Sequence, residues 1–173
     1  MYFLKDGTER VVSFATRPAD IDAITDAEWA AATDHSSAVV KPLDIDFDDP
    51  NTFPFNTIDQ RGEGQRAGRD NYHGNVRIGR DWDDADMQAD ETAASEIALA
   101  EFAAKGETLY IGVYRGPKLA SAGALVAGDE YDYFEFTGGR AKSVADEENY
   151  MMKDVVLQPT GECVSQGVIV AAA

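Results

Sequence analysis

The 173 residues carry 32 acidic side chains against 15 basic ones, a net charge of −17, with 20 of the acids Asp and only six of the cations Lys. Such a surface repels phosphate and argues against sequence-specific recognition of DNA or RNA, while Cys163 as the only cysteine excludes an intrachain disulfide and a thiolate zinc site. The length suits one domain spanning 1–173, and 44% apolar residues suffice for its core.

Two accounts of the acidity stand side by side. One is a functional need for a negative surface. The other is adaptation to high salt, where a Debye length of about 3 Å at roughly 1 M removes most self-repulsion. No window has the apolar length of a signal peptide or a membrane span, so the chain is expected to be made and used in soluble form, without membrane contact.

In chain order, Arg10–Ala15 reads as a short strand. Thr25-Asp-Ala-Glu28 matches a capping box and predicts a small helix through Trp29 to Ala32, bracketed by Pro18 and His35-Ser-Ser37. Ala38–Asp48 predicts a strand in which Val40, Leu43, Ile45 and Phe47 face inward. Asp44, Asp46 and Asp48 then share the opposite face.

Asp49–Asn75 is turn-rich and polar and predicts a long extended loop, of a length that is usually functional. It holds Phe53, Phe55, Ile58 and Tyr72 together with Arg61, Arg66 and Arg69; Arg77 and Arg80 follow. Gln60–Arg80 is therefore net +3 inside a strongly acidic chain, and apolar anchors among arginines resemble half of a protein–protein contact.

Asn75–Trp82 is a candidate strand. Asp81–Ala104 then has eight acids and no Lys or Arg, with Asp81, Asp83, Asp84 and Asp86 leading it. Glu91–Ala104 predicts a helix with Asp90 as its cap and Lys105-Gly106 as its close; Ser95, Ala98, Leu99 and Phe102 would pack, and Glu96 with Ala100 would stay wet. Glu107–Tyr114, Ala120–Ala127, Tyr131–Thr137, Met152–Leu157 and Glu162–Val170 read as strands, the last two parted by a Pro159-Thr-Gly161 turn and the last burying Cys163. The fold class is β-dominated α+β: a β-sandwich or barrel with one main flanking helix.

Catalytic chemistry is largely missing. His35 and His73 lie in polar loops with no nucleophile elbow, and Arg61-Gly-Glu-Gly64 lacks the Lys-Ser/Thr of a phosphate loop. Asp44-x-Asp46-x-Asp48 imitates the start of a calcium loop, but Asp49 stands where glycine must turn the chain and Phe55 where the bidentate glutamate belongs. The cluster from Asp81 to Asp86 reads as an exposed lead-in to a helix. Tyr131-Asp-Tyr-Phe-Glu-Phe136, flanked by acids, reads as half-buried strand aromatics and not as a stacking platform for bases. No catalytic residue, metal or cofactor is assigned.

The layout nonetheless resembles the major tail tube proteins of long-tailed viruses, which share a fold with the tube protein of type VI secretion. The likeness rests on Ala94–Tyr114, helix then strand, and on Tyr131–Val170: an aromatic strand, a polar stretch, a methionine-led strand, a Pro/Gly turn and a valine-rich strand. The resemblance implies a non-enzymatic virion subunit, made in the host cytoplasm, that closes into rings, commonly hexameric. The rings stack into a hollow tube for DNA ejection, and strands of all subunits form an inner barrel. Its partners would be its own copies, the tape measure, terminator and baseplate proteins, and viral DNA passing without specific binding. The Asp-rich, Lys-poor composition would suit a halophilic archaeal host.

On the residues themselves, Asp44, Asp46 and Asp48 are the candidates for a channel lining, because carboxylates offer phosphate no donor. The acidic cluster from Asp81 is the other candidate for the inward face. The arginine-bearing loop (Phe53, Phe55, Arg61, Arg66, Arg69, Tyr72, Arg77, Arg80) and the acidic segment from Asp81 to Asp86 are candidates for complementary subunit contacts. Another virion component (tail completion or capsid decoration), a small acidic metal-dependent hydrolase and a monomeric carbohydrate- or peptide-binding sandwich are the alternatives.

Overall fold

Tyr131 to Phe136 puts aromatic side chains on both faces of one strand, Tyr131 and Tyr133 on one and Phe134 and Phe136 on the other, which requires cover on both. The rest of the architecture supplies that cover. The structure, a computed structural model, describes residues 8–40, 42–49, 52–55, 64–67, 71–81, 88–118, 124–145 and 151–172.

Its elements are β1 (Glu9–Phe14), α1 (Asp26–Ala31), β2 (Thr33–Asp34), β3 (Asp44–Asp48), β4 (Thr52–Phe55), β5 (Gly64–Ala67), β6 (Asn71–Gly79), α2 (Ala94–Phe102), β7 (Thr108–Arg115), β8 (Glu130–Thr137), β9 (Ala141–Ala145) and β10 (Met151–Val168). An eight-stranded antiparallel sheet runs β2-β1-β7-β8-β10-β6-β3, with β9 also on β10; β4 and β5 form a separate hairpin. The long strand β10 joins two layers. Its first half pairs with β6 (Val155 opposite Val76) and β9 (Asp154 opposite Lys142), and its second half pairs with β8 (Cys163 opposite Phe134).

One core lies between the layers: Ile45, Val76, Ile78, Ile111, Phe134, Phe136, Val155 and Leu157, closed by Ala98 and Phe102 of α2. A second lies on the other side of β1, β7 and β8, where Phe14, Ile24, Trp29, Tyr131 and Tyr133 pack under α1. This is the β-dominated α+β architecture expected, with two helices among the described residues.

The helix starts differ in how they are stabilised. Thr25 and Glu28 form the anticipated capping box, Glu28 N–H donating to Thr25 Oγ1 and Thr25 N–H to Glu28 Oε2. The larger helix is shorter than expected. Asp90 does not cap it; its carboxylate accepts from Thr92 in the preceding turn, and Ala93 stands at the N-cap without a side-chain bond. Beyond its end Gly106 adopts φ +86°, a left-handed turn that suits glycine. Ser95, Ala98 and Phe102 are buried as expected, but Glu96 is not wet: its side chain is 10% exposed and pairs with Arg80.

Several strand expectations are corrected. The strand predicted over Ala38–Asp48 forms only over Asp44–Asp48, Val39 making an isolated bridge to Ile78. The long loop holds β4 and β5, and β6 begins at Asn71, four residues before the predicted strand. Tyr72 is therefore not a loop anchor. It is a core residue, 6% exposed, whose hydroxyl donates to the Glu135 carbonyl at 2.6 Å. Residues 124–127 form no strand, and 119–123 lie outside the described residues.

Pro159-Thr-Gly161 is not a turn between two strands but a bulge inside β10, where the register against β8 shifts. There Gly161 passes so close to Glu135 that an added Cβ would sit 1.8 Å from its Oε2. Cys163 is partly buried at the edge of the first core. β9 had no counterpart in the sequence reading.

Candidate functional site

Strict alternation on β3 and β6 divides their side chains between the core and the outside. Ile45, Tyr72, Val76 and Ile78 are buried. The outward set follows from the register: Asp44 opposite Asn75, Asp46 opposite His73, Asp48 opposite Asn71, then Arg77 opposite Asp154 and Asp154 opposite Lys142. The result is one polar face across β3, β6, the first half of β10 and β9. Its large apolar side chains are Val156, 53% exposed at its middle, and Met152 opposite Val144 toward one end.

Charges on this face are organised. His73 bridges two strands, its Nδ1 lying 2.7 Å from Asp48 Oδ1 and its Nε2 3.2 Å from Asp44 Oδ1. Partial burial pulls the His73 pKa down, but hydrogen bonds to Asp48 and Asp44 and their negative charge outweigh it, so the value rises above that of a free histidine. Asp46 accepts from the N–H of Phe47 at 2.9 Å. Arg77 grips Asp154 with two bonds, Nε–Oδ1 at 2.7 Å and Nη2–Oδ2 at 2.9 Å. That pairing holds the Asp154 carboxyl below the usual carboxylate range.

β3 and β9 are the outer strands of this four-stranded unit, and among the described residues neither has a second strand neighbour.

The contact candidates fall into three groups. Arg77 and Arg80 lie on or just after β6 and pair within the subunit, with Asp154 and Glu96, as Asp81 does with Ser95 Oγ at 2.6 Å. Phe53, Phe55 and Arg66 have their backbones in the β4–β5 hairpin, Phe53 opposite Arg66. Arg61, Arg69, Asp83, Asp84 and Asp86 lie outside the described residues.

Only one of the two histidines leaves the polar loop expected of it, and the other lies in its turn but is buried there. His73 is in a strand, and His35 is 2% exposed, stacked edge-on against Phe102 at 5.0 Å. Its Nε2 lies 2.9 Å from Ser13 Oγ and 3.2 Å from Glu101 Oε2. A serine, a histidine and a carboxylate thus meet, but not in the order of a nucleophile–base–acid set. Both partners approach the same ring nitrogen, whereas a relay needs the carboxylate on the other one, and Ser13 is 2% exposed. The hydrogen bond to His35 lowers the Glu101 pKa, against a smaller opposing effect of burial, and Ser13 adds to it.

A second polar cluster was likewise invisible in the sequence. Arg17 Nε donates to Glu135 Oε1 at 2.7 Å and its Nη2 to Glu162, while Tyr133 Oη donates to Glu135 Oε1 at 3.1 Å. Arg17 and Glu135 stand 118 positions apart, so no local motif marks them. For His73 a signal did exist: the alternation from Tyr72 to Ile78 extends one strand through it.

No curated protein matches the chain. A family model described as phage tail tube protein matches residues 1–173.

Proposed function

The chain belongs to the phage tail tube protein family, structural proteins of the virion tail and not enzymes, and from that membership we propose that it closes into rings of six that stack into the hollow tube through which viral DNA is delivered. The polar face of β3, β6, β10 and β9 is the channel wall, with Asp44, Asp46 and Asp48 among its lining groups. The β4–β5 hairpin reaches a neighbouring ring. The Asp-rich surface fits a long-tailed virus of a salt-loving archaeal host, and the tape measure, terminator and baseplate proteins are its other tail partners.

The observation that carries this reading is the largely polar, partly exposed outer face of a four-stranded sheet whose reverse is the core. A solvated outer face is common in antiparallel sheets, and a ring of such faces makes a wetted wall whose carboxylates offer phosphate no donor, so that DNA slides past. Negative-stain microscopy of the purified protein tests it: rings or tubes with a central hole are expected, and a clean monomer at high concentration in both low and high salt overturns it. Val156→Lys, at the middle of the face, is expected to leave tubes intact and slow DNA release from reconstituted virions. Arg61→Ala, Arg66→Ala and Arg69→Ala together are expected to leave a folded subunit that no longer forms tubes.

A further inference from the structure

The outer strands of the polar sheet carry opposite charge. On β3 the exposed outward side chains are Asp44, Asp46 and Asp48. On the far edge Lys142 of β9 lies on the same face, opposite Asp154, and exposed Arg140 precedes it by two residues. Arg140 stands just before β9, so strand alternation fixes only Lys142 to this face, with Arg140 beside it at the same edge.

The strands also run the right way. Each pairing along β3-β6-β10-β9 is antiparallel, so across four strands β3 and β9 point in opposite directions. Rotation about a ring axis keeps each strand's direction along that axis. The β9 of one copy would therefore meet the β3 of the next antiparallel, continuing the pattern of the sheet. Both strands are five residues long.

Resting on the ring reading above, we propose that the seam between adjacent copies is β9 against β3, with Arg140 and Lys142 of one copy matched to Asp44, Asp46 and Asp48 of the next. The aspartates then do more than face the channel: they select the neighbour. Main-chain groups cannot do this unaided, because part of the β3 edge is occupied within the subunit. Arg115 donates to the Ile45 carbonyl, and the Phe47 N–H is taken by Asp46. An edge guarded in this way resists indiscriminate strand addition, leaving side-chain charge to bring the correct partner into register.

Two full-length variants test the seam. Arg140→Glu with Lys142→Glu makes both edges acidic; Asp44→Lys with Asp46→Lys puts cations on both. All four side chains are exposed, and circular dichroism checks that each variant is folded. Each alone is expected to raise the subunit concentration needed for rings about tenfold or more. Mixed in equal amounts, the two are expected to assemble again, because copies that alternate around an even-numbered ring match at every seam. Normal rings from either variant alone, or no recovery on mixing two folded variants, overturns the seam while wild-type rings keep the tube reading intact. A wild-type protein that stays monomeric overturns both.

Discussion

Strand β8 and strand β3 are both short and antiparallel and both interleave carboxylates with apolar side chains, yet they answer to different surroundings. On β8, Tyr131, Tyr133, Phe134, Glu135 and Phe136 are all buried, because one face meets the inter-layer core and the other meets α1. On β3 only alternate residues have cover, Ile45 inside and the aspartates outside. A strand covered twice serves stability. A strand covered once has a face left over, and in this protein that face is largely polar and continuous across four strands. β10 takes part in both arrangements, changing from one to the other at its bulge.

The contrast can be broken by substitution. Phe134→Ala removes a ring with no exposure that stacks on Phe47, Tyr72 and Phe136, and is expected to cost about 3–5 kcal/mol in a urea melt. Gly161→Ala pushes a methyl into Glu135 at the bulge, and is expected to cost about 1–3 kcal/mol. If it is neutral, the bulge is not the tight crossing described. At the other extreme, Val156→Thr on the bare face is expected to lie within about 0.5 kcal/mol of wild type. A larger loss in the isolated subunit would mean that face is covered within it.

The two histidines sharpen the comparison through pH. Glu101, beside buried His35, has a depressed pKa in the folded state, so its contribution is present above the carboxylate's unfolded value and is lost as pH falls through the folded one. Glu101→Gln is expected to flatten the acid limb of a stability–pH profile. His73 has the opposite sign. Its folded pKa is raised, so its contribution is full below the unfolded histidine value, about 6.5, and is lost as pH rises through the folded one. Because the cluster is solvent-exposed, His73→Asn is expected to change stability by under about 1 kcal/mol, and only on the acidic side of that window.

Much of this was legible in the chain. The capping box at Thr25 and Glu28 is a contact over three residues, and it formed as read. The alternation from Asp44 to Asp48 assigned the exposed and buried faces of β3 correctly, since side-chain direction in a strand is a local property. Pro159-Thr-Gly161 misled because the same residues serve a turn or a bulge, and the choice depends on whether partner strands continue past them. His35 misled because its polar neighbours describe the turn it sits in, not the Phe102 ring that lies over it.

Local directions can be read from the residues alone: which residues cap, which alternate, where charge concentrates, and that β-structure dominates. Those depend on backbone geometry and on transfer from water, which act over a few residues. Only the tertiary structure decided that Arg17 meets Glu135, that His73 spans Asp44 and Asp48, and that β3 and β9 end up as opposite edges of one sheet. Such pairings depend on strand order, which the packing of two layers selects as a whole and no short stretch of residues encodes.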